Sequence, residues 1–231
     1  MKIAGIIGGV GPESTIEYYR AIVAGYRAQV RDGSYPRLVI NSIDMKNMLD
    51  LVAANRLADV TDFVGAEIQK LAAAGADFGL FACNTLHVAF EAIQQRSPLP
   101  LVSIVDVTCA AARARALTRV GLIGTTFTMQ GGFYQDVFRR AGIAVVVPAP
   151  DEQAEIHDRY MNELVNGIVR VESHQRLMAV VDRLHEDEKI DGVILGGTEL
   201  SLLIREPDYH GIPFLDTTKL HVERVVTELL A

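Results

Sequence analysis

Positive charge is in short supply. Lys and Arg total 22 against 29 Asp and Glu, a formal charge of −7, and no basic run relieves it. Such a chain is a poor binder of nucleic acid or of an anionic membrane surface. A small anionic substrate stays possible, because a local pocket can oppose the global field. Cysteine is scarce too: only Cys83 and Cys109 are present, which excludes a disulfide scaffold and points to a reducing, cytoplasmic compartment. Long apolar runs are missing. The longest charge-free stretch, Val120–Gln135, carries Thr, Gln and Gly and falls short of the roughly 18–20 apolar residues of a membrane helix. Ile3–Pro12 is apolar behind Lys2 but is broken by Gly8, Gly9, Gly11 and Pro12, so it reads as a first strand and turn rather than a signal peptide. None of the six histidines has the spacing of a zinc site, and no metal is expected.

What the chain has is ordinary globular composition, 49% apolar and 22% charged, and a regular alternation of strand and helix patterns. Ile3–Ile7 predicts a strand, and Pro12 suits the first turn of a helix over 13–29. A strand follows at Leu38–Ile43, a helix at Ala58–Ala74 capped by Gly75, and a strand at Asp77–Ala82. Cys83-Asn84-Thr85 then opens a helix that ends before a strand at Leu101–Val105. The second half predicts strands at Thr118–Ile123, Ile143–Val147, Gly192–Leu195 and Ile212–Leu215. Helices are expected at Met129–Ala141, 151–167, 170–187 and Thr217–Leu230. Alternation of this kind implies parallel sheets with right-handed crossovers.

A faint internal repeat bears on the domain count. Gly5-Ile6-Ile7-Gly8 recurs as Gly121-Leu122-Ile123-Gly124. Phe81-Ala82-Cys83-Asn84-Thr85-Leu86 lines up with Leu195-Gly196-Gly197-Thr198-Glu199-Leu200, an offset of 114 residues. Two landmarks in the same order at nearly the same spacing suggest two similar Rossmann-like α/β lobes. The expected lobes are 1–98 with 212–231, and 99–211. All four landmark turns follow strands, and parallel α/β sheets bind ligands outside the carboxyl ends of their strands. A cleft between the lobes is therefore the expected site.

Each motif has a plain reading beside the chemical one. Cys83, at an expected helix start, would be drawn toward thiolate and could move a proton or act as a nucleophile; it would equally suit a buried structural cysteine. Cys109, inside Thr108-Cys109-Ala110-Ala111-Ala112, reads as structural. Gly8-Gly9-Val10-Gly11 lacks the third glycine of a dinucleotide loop, so a carboxylate site built on the amides of Gly9, Val10 and Gly11 is the better reading, with a simple turn as the alternative. Thr125, Thr126, Thr128 and Thr198 suit helix capping or carboxylate binding. Glu199 favours a first helical turn on dipole grounds alone. His87, one turn past Cys83, either tunes that thiol or sits on a helix surface.

Taken together, Gly8-Gly9-Val10-Gly11-Pro12-Glu13, Ala82-Cys83-Asn84-Thr85-Leu86-His87, Gly124-Thr125 with Thr128-Met129, Gly196-Gly197-Thr198-Glu199-Leu200 and Asp216-Thr217-Thr218 with His221 resemble the aspartate/glutamate racemase family, over essentially the whole chain. The resemblance implies two α/β lobes, a cytoplasmic homodimer, no cofactor, and a small carboxylic amino acid as substrate. It also implies two cysteines, one per lobe, that remove and return the α-proton on opposite faces of the α-carbon. The first matches Cys83. Asn84, Thr85, Thr125, Thr128 and Thr198, with Gly9, Val10 and Gly11, would hold the α-carboxylate, and Lys46 would meet a distal carboxylate or remain a surface lysine.

The second cysteine of the pattern maps to Gly197, which has no side chain. A water in the vacated space, oriented by Thr198 or Glu199, is one expected remedy. A one-base reaction, a single-cysteine decarboxylase of a small dicarboxylate, and a catalytically silent carboxylate binder are the alternatives.

Overall fold

In a computed structural model describing residues 1–231, the predicted alternation becomes two α/β units, Met1–Ile104 with His221–Ala231, and Val105–Leu220. In the first unit β1 (Ile3–Gly8) leads to α1 (Pro12–Gln29), β2 (Arg37–Ser42), α2 (Met45–Ala53), α3 (Leu57–Ala73), β3 (Phe78–Phe81), α4 (Phe90–Arg96) and β4 (Leu101–Val102). The sheet order is β2-β1-β3-β4, all parallel. Period-two alternation builds its two faces. Ile7 and Phe81 pack with Val60, Val64, Ile68 and Leu71 of α3. Ala4, Ile6 and Leu80 point the other way, onto Tyr18, Ile22 and Tyr26 of α1 and Val222, Val225, Val226 and Leu229 of the C-terminal helix. Each such side chain removed from water contributes about 1.5–3 kcal/mol.

The second unit runs through α5 (Ile104–Ala114), β5 (Arg119–Gly124), α6 (Thr126–Gln130), α7 (Phe133–Arg140), β6 (Ala144–Val146), α8 (Pro150–Asn162), α9 (Val171–Glu188), β7 (Gly192–Gly196), α10 (Leu200–Leu203), β8 (Asp208–Tyr209) and β9 (Ile212–Asp216), and the chain then returns to the first unit within α11 (Thr217–Leu230), from His221 onward. Its sheet order is β6-β5-β7-β9-β8, parallel except for the antiparallel β8–β9 pair.

Several sequence expectations are corrected. The strand at 212–216 pairs with β7, so it belongs to the second unit and not to a first lobe beginning again at 212. Conversely, Leu101–Val102 pairs with β3, so the first unit runs past 98. Which sheet a short apolar run joins is a pairing decision that its own residues do not encode. The strand expected to reach Val105 stops at Val102, because α5 starts at Ile104. The helix expected over Met129–Ala141 is broken at Gly131-Gly132, where Gly132 takes φ 77°. The helix α2 and the β8–β9 hairpin have no counterpart in the sequence reading.

Two imidazoles lock the first unit. His221 is fully buried; its Nε2 faces the Val102 carbonyl at 3.0 Å and its Nδ1 faces the Tyr18 hydroxyl at 2.8 Å. A carbonyl can only accept, so Nε2 carries the proton and Nδ1 accepts from Tyr18. His87 is also buried: its Nε2 accepts the Ile104 amide at 3.1 Å, so Nδ1–H donates to the Asn84 carbonyl at 3.2 Å. Burial pushes His87 down to about 3, with nearby His221 adding to the shift, and pushes His221 down to about 4. Both lie below the ordinary value of 6.5, so over this range the unfolded chain holds more protons than the folded one. The stability these groups contribute is complete above that value and drains away as pH falls toward the folded values. Thermal unfolding midpoints are expected to drop between about pH 7 and about pH 5. His221→Gln should start lower at neutral pH but lose less on acidification; parallel slopes for the two proteins would contradict this account.

Candidate active site

A doubly wound parallel sheet opens a crevice where successive connections leave in opposite directions, at the carboxyl ends of two neighbouring strands. In the first unit those strands are β1 and β3, adjacent in the order β2-β1-β3-β4. The turn after β1 is Gly9-Val10-Gly11, and the turn after β3 is Ala82-Cys83-Asn84. Ser14 Oγ of α1 donates to the Ala82 carbonyl at 2.7 Å, tying the two turns together. The second unit repeats the plan with β5 and β7, whose trailing turns hold Thr125 and Gly197-Thr198-Glu199.

The glycine turn is set by its backbone. Gly9 has φ 86°, and a Cβ there would run into the backbone oxygen of Ile43 and come 2.7 Å from its nitrogen. Its amide donates to Thr15 Oγ1 at 2.9 Å. That removes Gly9 from the expected carboxylate donors. Val10 is buried against the first core, and Gly11, φ 84°, caps α1 without a side chain.

Cys83 is 4% exposed and sits in the same cluster as Ile7 and Leu86; Asn84 and Thr85 are buried with it. Neither cysteine forms a disulfide. The helix expected to begin here is a 3₁₀ turn at Thr85–Ala89, and α4 starts only at Phe90. The dipole assistance expected for the thiol is correspondingly small, since it comes from aligned peptides of a regular helix. His87 is neither a surface residue nor a base for the thiol. Both ring nitrogens are spent on backbone partners, and the ring is stacked on Phe90 with centroids 5.1 Å apart. Cys109 lies buried in α5, and burial, with Asp106 nearby, pushes its thiol up, which fits a structural role. Lys46 lies at the start of α2 with its side chain 82% exposed, paired at 2.6 Å with Asp50.

In the second unit Thr125 Oγ1 caps α6 by accepting the Thr128 amide at 3.3 Å, and the two hydroxyls lie 3.2 Å apart. Thr198 Oγ1 donates to Glu199 Oε2 at 2.7 Å. The expected space at Gly197 is not there for a water. A Cβ at 197 would overlap Cε2 of Tyr160 and lie 2.9 Å from its Cζ and Oη. That ring comes from α8, and its hydroxyl donates to Glu199 Oε2. Burial, then the Glu199 carboxylate, holds the Tyr160 phenol well above its usual range. Sequence reasoning missed Tyr160, and no local signal pointed to it. The structure thus pairs Thr125 with Thr128, and Thr198 with Glu199 and Tyr160. It groups Cys83 with Asn84 and Thr85 beside the glycine turn.

Comparison with known proteins agrees with this architecture. The profile of the Asp/Glu/hydantoin racemase family matches residues 7–225. A broad specificity amino-acid racemase of Bacillus subtilis, RacX, is 28% identical over 98% of both chains. A candidate Asp/Glu racemase from Yersinia pestis superposes with TM-score 0.90 at 30% identity, over the whole of both chains. An aspartate racemase homologue from Pyrococcus horikoshii does so with TM-score 0.86 at 31% identity, again over the whole of both.

Proposed function

Because the chain belongs to the Asp/Glu/hydantoin racemase family, we propose that it moves the α-proton of a small acidic amino acid, aspartate or glutamate, with Cys83 as the proton-transfer thiol and without pyridoxal phosphate. The observation that carries the reading is the position of Cys83, buried beside the glycine turn at the carboxyl ends of β1 and β3.

The chemistry sets the demands. An α-proton is weakly acidic, and without a cofactor the negative charge that forms must be met by fixed donors on the carboxylate. Each well-placed donor of this kind is worth about 3 kcal/mol in the transition state. Asn84, Thr85, Thr125, Thr128 and Thr198 are the side chains proposed to supply them, with the amides of Val10 and Gly11. Gly9 is left out, its amide being used by Thr15. A distal carboxylate would reach Lys46 only by displacing Asp50. A low-dielectric setting around Cys83 strengthens any such contact and excludes water from the carbanion. Localisation in the cytoplasm as a homodimer belongs to the same proposal.

The test is exchange of the α-hydrogen of L- and D-amino acids with deuterated water, read by mass spectrometry alongside optical rotation. Aspartate or glutamate should exchange, and Cys83→Ser should lower the rate by at least ~10²-fold, the usual contribution of a placed proton-transfer group. No exchange with any amino acid would sink the reading. Carbon dioxide released from a disubstituted malonate would turn it toward a decarboxylase. Thermal stabilisation by a carboxylate without turnover would turn it toward a binder.

A further inference from the structure

Gln153, His157 and Tyr160 follow one another at helical spacing along one face of α8. They meet, in turn, the chain that leaves two neighbouring strands. Gln153 Oε1 accepts from Gln130 Nε2 at 3.0 Å and His157 Nδ1 accepts the Thr126 amide at 3.3 Å, both in the segment after β5. The Tyr160 hydroxyl donates to Glu199, after β7. Helix α8 therefore lies across the carboxyl ends of β5 and β7, the edge at which a parallel α/β sheet takes its ligand. We infer that His157 is a substrate-contacting residue of the second unit, its Nε2–H donating to an amino-acid carboxylate at the Thr125–Thr128 turn. In naming that ligand the inference rests on the racemase reading above. The residues that carry it all belong to one unit.

An amide only donates, so the nitrogen facing Thr126 is the bare one and the proton of the ring sits on Nε2. That Nε2–H meets no acceptor in the structure, although the ring is half-buried and lies edge-on to Phe127 with centroids 6.2 Å apart. The adjoining hydroxyls carry the same surplus. Thr125 Oγ1 and Thr128 Oγ1 lie 3.2 Å apart, and Thr125 Oγ1 also accepts the Thr128 amide. One hydrogen fills the gap between two hydroxyls. The hydrogen of the other hydroxyl is left without an acceptor, and both residues are buried.

Buried donors without acceptors are costly unless a ligand uses them. Surplus donors at one turn fit a group that only accepts, such as a carboxylate, and disfavour an ammonium group. His157 is also set before any ligand arrives, because the Thr126 amide pins Nδ1 and Phe127 flanks the ring. Little ordering is then lost on binding.

Two variants separate a ligand contact from a structural role. His157→Asn keeps an acceptor for the Thr126 amide and removes the Nε2–H. His157→Gln keeps a donor near the Nε2 position and removes the acceptor. Each is compared with wild type for thermal unfolding, for aspartate and glutamate affinity by calorimetry, and for KM and kcat in α-hydrogen exchange. His157→Asn should unfold as wild type does, yet lose ~10-fold or more in affinity and in KM, the usual worth of a hydrogen bond to a charged group. Its kcat should fall far less. His157→Gln should unfold at a lower temperature and keep more of the affinity. A merely structural histidine gives the reverse order, with the Asn variant near wild type in every reading. Affinity of His157→Asn equal to that of wild type therefore overturns the inference and leaves the racemase reading standing. A wild type that neither binds nor exchanges aspartate or glutamate fails both.

Discussion

A parallel strand covered on both faces can hand its chain to function only at its ends. The β1 and β3 strands are buried on one side by α3 and on the other by α1 and α11, through Ile7 and Phe81 in one direction and Ile6 and Leu80 in the other. That leaves the turns after them as the places where the backbone reaches open edge without breaking the ladder. Gly9-Val10-Gly11 and Ala82-Cys83-Asn84 lie there because β1 and β3 are neighbours, and the second unit repeats the arrangement with β5 and β7. The chemistry proposed for the chain is built on turns fixed to stiff, apolar supports, a better base for alignment than a mobile loop.

The buried polar groups fall into two kinds. In the first unit the imidazoles of His87 and His221 are neutral, and each ring nitrogen has one partner of the right sense. Nothing remains for a ligand, so they act as struts between helix, sheet and turn. In the second unit the side chain of Glu199 is met by the hydroxyls of Tyr160 and Thr198.

Legibility in the sequence followed the range of the interaction. Helix starts and stops were readable where one or two residues decide them: Pro12 at the head of α1, Gly75 after α3 and Thr125 as a cap. Strand existence was readable from short apolar runs, and the paired turns from the recurrence of Gly8 and Cys83 at Gly124 and Gly197. Errors came where two distant segments choose each other. The run at 212–216 carries nothing that says it will join β7, and the tie of His87 to Ile104 spans 17 residues.

By itself, the sequence determined the alternation of strand and helix and the glycine and cysteine turns after the strands. Those are statements about local periodicity and residue type, which short-range sterics and hydrogen bonding settle. Only the tertiary structure decided what occupies the space beside Gly197. Tyr160 belongs to α8 and meets Glu199 across 39 residues of chain. A side chain that arrives from another helix is selected by packing volume and by the need of a buried carboxylate for donors, neither of which leaves a mark in neighbouring residues.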